Sequence, residues 1–148
     1  MSLGYRDAVS IHRFRDPQGS IELWTVSGLV CTRAVGYLTA ATMEAYFARQ
    51  HDVIEQLESP VTAFRNYSEV HGFEPQAKIR TSAWVLRNRQ RFRAIHFFAH
   101  SSHVALAAQS MSFTSGSTMH IYDTPDELES AFADALREAR GGARLYQV

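Results

Sequence analysis

Two histidines and two serines stand side by side in the second half of the chain, in the order His100-Ser101-Ser102-His103. These residue types bind metals, carry protons and serve as nucleophiles. A zinc site needs three or four ligands, and no Cys, Asp or Glu lies at a metal-type spacing from the histidine pair. We therefore expect no metal here. The pattern favours a helix capped by Ser101 or Ser102, with both histidines partly exposed at its entrance.

Other enzyme signatures are also missing from the sequence. No Gly-x-Ser-x-Gly is present, and the glycines fit neither the phosphate-loop nor the dinucleotide-binding fingerprint. Ser101 or Ser102 could combine with His103 or His71 in a hydrolase triad only through contacts that a sequence does not show. We expect no cofactor, and a binding protein in preference to an enzyme.

The polar cluster follows the run AIHFFA at residues 94–99, which is apolar apart from His96. Runs of this length are typical of strands covered on both faces, so we predict that residues 94–99 form the central strand of a helix-flanked sheet. The carboxyl end of such a strand is the usual place for a ligand or regulatory crevice. His96 is expected to be a core histidine bonded to a backbone carbonyl, and a pH-sensitive role is the alternative.

Hydrophobic spacing predicts the other elements. Strand-like runs at 10–15 and 21–30 flank a turn that contains Pro17 and Gly19, which indicates a hairpin, and Gly28 marks a bulge or a close helix approach. Apolar side chains three and four residues apart predict helices, and short apolar runs predict strands. The predicted elements are helices at 39–57, 75–88 and 104–113, strands at 61–67 and 119–122, a polar turn at 68–74, and a stop at 115–117.

The segment Thr124-Pro125-Asp126-Glu127 predicts the start of the last helix. The threonine is a helix cap, the proline suits the first helical position, and the glutamate reaches back to close a capping box. Two glycines at 141–142 are expected to end this helix. Residues 1–9 and 141–148 would be loose termini of a single domain that spans residues 1–148.

The element order is therefore β-β-α-β-α-β-α-β-α, an opening hairpin followed by alternating strands and helices. Strands joined through a helix lie parallel in one sheet. The order predicts an α/β fold with a mostly parallel five-stranded sheet and four flanking helices. A chain of 148 residues can bury the core of one such domain without disulfides or metals.

The composition limits the partners. Fifteen basic residues balance fifteen acidic ones, so no overall field attracts nucleic acid or anionic lipid. The basic run from Lys78 to Arg93 is expected to be a solvated face that pairs with glutamates of a neighbouring helix. No segment approaches the roughly 18 consecutive apolar residues of a membrane span. The only cysteine, Cys31, favours a reducing cytoplasm.

The element order, together with the segment DTPDELESAF at 123–132, resembles the STAS domain superfamily and its SpoIIAA-like relatives. The resemblance implies a small bacterial protein related to anti-sigma factor antagonists, which act as partner-binding switches. In that branch, a serine in an Asp-Ser motif after the third strand is phosphorylated by a partner kinase. The matching place here is Asn66-Tyr67-Ser68-Glu69, so the resemblance implies Ser68 as the phosphoacceptor. A turn serine bonded to its own backbone is the alternative role of Ser68.

We therefore expect a non-enzymatic regulatory or protein-interaction module, with a degenerate phospho-switch, a protein partner and no nucleic acid. The sequence also leaves a homodimer open. The partner-binding or ligand-binding edge would consist of Asn66, Tyr67, Ser68, His71, His100, Ser101, Ser102, His103, Asp123 and Thr124. The alternative is a small-molecule or lipid-binding module, or a minor enzyme, with an apolar pocket beside the central strand. Phe97, Phe98, Met111 and Phe113 would line that pocket, with His100 and His103 as its polar anchors.

Overall fold

The computed structural model describes residues 2–115 and 119–145. Its elements are β1 (Val9–Arg15), β2 (Gly19–Val26), β3 (Leu29–Leu38), α1 (Ala40–Glu55), β4 (Val61–Phe73), α2 (Pro75–Arg87), β5 (Phe92–Ala99), α3 (Ser102–Ser115), β6 (Met119–Tyr122) and α4 (Pro125–Leu145). Among the described residues, six strands form one sheet in the order β1-β2-β3-β4-β5-β6. The first two strand pairs are antiparallel and the last three are parallel. The α/β class is confirmed, but the sheet is mixed and has one strand more than expected.

The additional strand, β3, begins inside the segment that we predicted as one strand at 21–30 and continues through residues 31–38, for which we predicted no element. Ser27 and Gly28 both have positive φ, 49° and 82°, and form a two-residue turn that pairs Val26 with Leu29. Positive φ at both turn positions matches the twist of a tight hairpin. Gly28 is therefore a turn residue, and the expected bulge or helix approach is wrong. Apolar residues lie directly on both sides of this turn, at Val26 and Leu29, so the hydrophobicity pattern does not reveal where one strand ends and the next begins.

The fourth strand is also longer than expected. The predicted polar turn at 68–74 is wrong over most of its length, because β4 continues to Phe73. The pairing of β3 with β4 shifts register between Arg33 and Val35 and again between Gly36 and Tyr37, so β4 contains bulges. Bulges admit extra residues without ending the ladder. The segment is polar because this half of β4 has an exposed side, on which Glu69 and His71 lie.

Helices cover both faces of the sheet. The helices α1, α2 and α3 pack on one face over a core that includes Tyr46, Trp84 and Ile95. The helix α4 packs on the other face, where Leu128 and Phe132 contact a second core. The strand β5 is interior and buried, as predicted, but it lies second from the sheet edge because β6 is beyond it. The centre of the sheet is formed by β3 and β4.

The start of α1 is held by a carboxylate from the first hairpin. Thr39 is the helix cap, and its hydroxyl accepts a bond from the Thr42 amide at 3.3 Å. Asp16 accepts bonds from the Thr39 and Thr42 hydroxyls, each at 2.6 Å, and from two amides of its own turn. These hydrogen bonds, with that from Thr39 the largest cause, lower the pKa of Asp16 to about 2. The predicted turn between β1 and β2 therefore also positions α1.

Both ends of the chain are more ordered than the sequence suggests. Leu3 is 1% exposed, and its carbonyl accepts a bond from Trp24 Nε1 at 3.0 Å. The glycines at 141–142 do not stop α4, which continues to Leu145. The N-terminal segment is therefore part of the layer that covers the α4 face. Gly116 and Ser117, which were expected to stop α3, lie outside the described residues.

Candidate functional site

The parallel strands end at one edge of the sheet, which we call the carboxyl edge. Tyr67 in β4 pairs with Ala99 in β5, and Phe98 in β5 pairs with Tyr122 in β6. This register places the loops after β5 and β6 next to each other, beside the second half of β4. The carboxyl edge thus brings together most of the residues predicted for the working surface: Asn66, Ser68, His71, His100, Ser101, Ser102, His103, Asp123 and Thr124.

Two helices begin at this edge with the caps that the sequence predicts. Ser101 Oγ accepts a bond from the Val104 amide at 3.4 Å, so Ser101 is the cap of α3. Thr124 Oγ1 accepts from the Glu127 amide at 3.2 Å and donates to Glu127 Oε1 at 3.0 Å. The cap residue and the glutamate three positions later therefore bond each other, which holds the loop after β6 in one conformation.

The histidines of the carboxyl edge are exposed but differ in their surroundings. The His103 ring stacks on Phe73 with the ring centroids 5.0 Å apart and the planes 5° apart, so it covers an apolar side chain at the end of β4. The His71 ring lies 6.5 Å from the Tyr37 ring. Within residues 2–115 and 119–145, no group of three or more His, Cys, Asp or Glu could hold a metal ion.

Ser68 lies inside β4, and not at a strand-to-helix junction. Its side chain is half-buried, and its amide donates to Asn66 Oδ1 at 3.0 Å. The next residue, Glu69, forms an ion pair with Arg33 of the neighbouring strand. This bond is made by the Asn66 side chain, as in an Asx-type turn at the bulge, and not by the Ser68 hydroxyl, and the predicted polar turn around Ser68 is replaced by the continuing strand.

Tyr67 is the one predicted edge residue that points away from the edge. It is 8% exposed and lines a cavity of about 60 Å³ between the sheet and the helices α2 and α3. Burial is the main cause that raises the pKa of its hydroxyl, and the nearby Arg65 guanidinium opposes this rise. Tyr67 is therefore a neutral hydroxyl inside the molecule.

The cavity only partly matches the predicted pocket. Phe97 and Met111 line it, together with Arg65, Ile95 and Val104. Phe98 packs on the opposite face of the sheet beside α4, because successive residues of a strand point to opposite faces. The side chain of Phe113 lies outside the described residues, and neither His100 nor His103 lines the cavity.

A buried polar cluster, formed by Thr32, Tyr46, Gln50 and Arg65, crosses the core beside this cavity. Arg65 Nη1 donates to the Tyr46 hydroxyl at 2.6 Å, and that hydroxyl donates to Gln50 Oε1 at 3.1 Å. Thr32 Oγ1 lies 2.8 Å from the same hydroxyl. Since a phenol has one proton, which is directed to Gln50, Thr32 must be the donor. One tyrosine hydroxyl therefore bonds three buried side chains, while Gln50 Nε2 and Arg65 Nη2 have no hydrogen-bond partner among the described residues.

Sequence reasoning did not identify this cluster, although a signal for Arg65 was available. In the β4 run VTAFRNY, alternate positions 61, 63, 65 and 67 point to one face. Val61 and Ala63 mark that face as buried, so Arg65 falls at an inward position. A charged residue at an inward position of a buried strand is rare unless it has a partner or a function. Tyr46 and Gln50 share one helix face at a spacing of four, but nothing in the sequence relates them to Arg65.

His96 lies on the opposite face of the sheet, below α4. Its ring is stacked between Phe64 at 4.6 Å and His120 at 4.7 Å, and its Nδ1 is 2.7 Å from the Tyr122 hydroxyl. The expected bond to a backbone carbonyl is therefore wrong, because β6 offers a phenol at hydrogen-bond distance. Burial, and then the neighbouring His120, lower the pKa of His96 to about 4.

This pKa predicts how stability depends on pH. The unfolded chain binds a proton at His96 with a pKa near 6.5, whereas the folded chain does so only near 4. The contribution of His96 to the free energy of unfolding is therefore fully present above its pKa in the unfolded chain. This contribution is lost as the pH falls from about 6.5 towards 4. In urea titrations across this range, His96→Asn should show a shallower fall in the free energy of unfolding than the wild type. Burial also lowers the pKa of His12, so part of the pH dependence of stability should remain in the variant. Parallel pH profiles for the two proteins would contradict this assignment.

Two arginines of the basic run pair with glutamates of α1, as predicted. Arg80 in α2 forms an ion pair with Glu44 of α1, and Arg91 lies 2.6 Å from Glu55 at the end of α1. These pairs are largely exposed, so each contributes at most about 1 kcal/mol of stability. They neutralise part of the positive charge that would attract an anionic polymer.

No family model matches the chain, and no curated protein matches it. Among solved structures it is similar to an uncharacterized protein of the DUF3478 family with a SpoIIAA-like fold from Shewanella loihica PV-4, with 13% identity and a TM-score of 0.58 over 83% of this chain and 92% of that one. It is also similar to an anti-sigma factor antagonist from Mycobacterium paratuberculosis, with 14% identity and a TM-score of 0.52 over 84% of this chain and 95% of that one. None of the helices in the described part of the chain has the length and apolar character of a membrane span. With its mixed sheet and four covering helices, the chain has a SpoIIAA-like fold.

Proposed function

We propose that this chain is a non-enzymatic regulatory module that binds a protein partner through the carboxyl edge. The observation that carries the proposal is the convergence of exposed polar side chains from two capped loops and the end of β4 on one side of the sheet. Loops that are held by a rigid sheet commonly carry binding residues. The similarity in fold to an anti-sigma factor antagonist supports a regulatory role of this kind. The reducing cytoplasm stays our proposed setting.

Substitutions at the two ends of the sheet test this proposal. The variant His100→Ala/Ser102→Ala/Asp123→Ala removes three exposed side chains from the carboxyl edge. The control variant Glu58→Ala/Ser59→Ala/Gln90→Ala removes three exposed side chains from the opposite end, before β4 and β5. We expect the first variant to recover a specific partner from a lysate of the source organism about tenfold less than the wild type, and the control to recover it normally. Equal recovery by both variants would contradict the proposal.

The phospho-switch is the finer part of the proposal and rests on Ser68. A phosphate there would add negative charge beside Glu69, whose carboxylate pairs with Arg33, so it would compete for that guanidinium. Comparison of Ser68→Asp with Ser68→Ala in the same partner assay separates the effect of charge from the loss of the hydroxyl. We expect only the aspartate variant to change partner recovery, and unchanged recovery would remove the switch.

Binding of a small ligand is a second candidate function, favoured by the cavity behind Tyr67. The cavity lies between the sheet and the helices α2 and α3, whereas the partner surface lies at the carboxyl edge. The two functions therefore use different residues and can be tested separately.

A further inference from the structure

Arg65 is a buried cation that has no anionic partner among the described residues. Its side chain is 6% exposed and lies on the sheet face that α1, α2 and α3 cover. Nη1 donates to the neutral Tyr46 hydroxyl, while Nη2 has no hydrogen-bond partner among the described residues. None of the ion pairs formed by the described residues includes Arg65. The guanidinium also contacts the Phe92 ring, whose centroid is 5.8 Å from the guanidinium carbon, and it lies near the uncharged Tyr67 hydroxyl.

Such an arrangement is costly unless something else binds the charge. A guanidinium does not lose its proton in proteins, so Arg65 cannot escape the cost of burial by becoming neutral. Burying a charge without a counter-charge is strongly destabilising, as the loss of one partner from a buried ion pair shows. A cation–π contact offsets only part of this cost. An anion that reached Nη2 would remove most of the remainder.

The space next to Arg65 is suited to the rest of such an anion. The cavity is lined mainly by apolar side chains, among them Ile95, Phe97, Val104, Ala107 and Met111. Its volume of about 60 Å³ equals roughly four water-sized positions. Among the lining residues, Lys78 is exposed, and Phe73, Thr81, Met111 and Met119 are half-buried. Lys78 and Thr81 belong to α2 and Met111 belongs to α3, so the cavity reaches solvent beside these two helices. A ligand can thus place its charge inside and extend a narrow apolar chain outwards.

We propose that this cavity binds a monocarboxylic acid with an unbranched apolar chain, whose carboxylate accepts a hydrogen bond from Arg65 Nη2. A carboxylate is preferred over a phosphate because it carries a single charge and has two oxygens to satisfy. The cavity offers few donors near its floor, namely the free Arg65 nitrogen and the Tyr67 hydroxyl. The proposal deepens the second candidate function by naming the class of ligand, and it does not depend on the partner surface at the carboxyl edge.

Titration of the full chain with hexanoate and with 1-hexanol tests the proposal. The two probes share the chain, but only hexanoate carries the charge. Changes in the methyl NMR signals of Met111 and Ile95 report occupancy of the cavity. We expect hexanoate to bind saturably and at least about tenfold more tightly than hexanol. Arg65→Met should weaken hexanoate binding about tenfold and leave hexanol binding unchanged, whereas Lys78→Met, which removes a second cation from the same cavity, should change hexanoate binding less than about twofold.

Several results would overturn the proposal. Equal affinity for hexanoate and hexanol would show that Arg65 does not recognise the carboxylate. A larger loss of hexanoate affinity in Lys78→Met than in Arg65→Met would show that the carboxylate binds at Lys78, on the solvent side of the cavity. The absence of saturable hexanoate binding to the wild type would overturn it whether or not any variant folds. Ala107→Leu, which fills the cavity, should exclude both probes. The carboxyl-edge variant should bind hexanoate normally, so a failure of partner binding and a failure of ligand binding remain distinguishable.

Discussion

Replacement of Tyr46 by phenylalanine is expected to lower the free energy of unfolding by about 3 kcal/mol, although it removes only one oxygen atom. The hydroxyl accepts bonds from Arg65 and Thr32 and donates to Gln50, and all four side chains are buried. Its loss leaves a charged donor, a hydroxyl and an amide oxygen without partners in a water-excluded core. The cost of these orphaned groups exceeds the usual value of a single hydrogen bond. Urea denaturation monitored by tryptophan fluorescence measures the change.

A double substitution separates the charge from the packing. Arg65→Met removes the buried charge and keeps an unbranched side chain of similar length, so we expect it to leave stability unchanged or to raise it by about 1 kcal/mol. In the double variant Tyr46→Phe/Arg65→Met, the loss caused by Tyr46→Phe should be smaller by about 1 to 2 kcal/mol, because the orphaned guanidinium is no longer present. Additive losses would show that the two groups do not interact energetically.

Tyr37→Phe is the matched control for this experiment, since it removes a hydroxyl from a half-buried tyrosine outside the buried polar cluster. Its effect should stay within about 0.5 kcal/mol. A loss in Tyr46→Phe no larger than that of the control would contradict the cluster described here. The same comparison bears on function, because the tyrosine also sets the position of Arg65 beside the cavity.

Replacement of Gly36 by alanine is expected to cost about 3 kcal/mol or more. Gly36 has φ of 88°, and a Cβ atom there would lie 2.5 Å from the Gln18 carbonyl oxygen and 3.0 Å from the Gly19 Cα. Both neighbours are backbone atoms of the first turn and cannot rotate away. That turn also carries Asp16, which holds the start of α1, so the strain reaches the helix. Thermal unfolding followed by circular dichroism measures the effect.

Gly28→Ala provides the matched control for Gly36→Ala. Gly28 has a similar φ of 82°, but a Cβ atom there would have nothing within 4 Å. It should therefore cost only the left-handed backbone penalty of about 1 to 2 kcal/mol. If both substitutions destabilise the protein equally, then the close approach of the first turn to Gly36 contributes nothing.

The sequence alone determined those features that depend on neighbouring residues. The segment Thr124-Pro125-Asp126-Glu127 starts α4 because its cap, proline and glutamate act within one turn of helix. The run at 94–99 is a buried strand because an apolar stretch of this length gains most by being covered on both faces. The alternation of strands and helices was sufficient for the SpoIIAA-like fold class, and Ser101 was among the two predicted caps of α3.

Only the tertiary structure decided features that depend on residues far apart in the chain. Whether residues 68–73 turn or continue as a strand depends on β3, which supplies their backbone partners through two bulges. Whether Tyr67 lies at the surface or in the cavity depends on which face of β4 the helices cover. The partners of His96 and Arg65 come from other elements, β6 and α1. Local propensity acts over a few residues, whereas burial and hydrogen bonding across the sheet require the assembled chain. For this reason the sequence marks Arg65 as an inward-facing charge, but only the fold shows its partners and the cavity beside it.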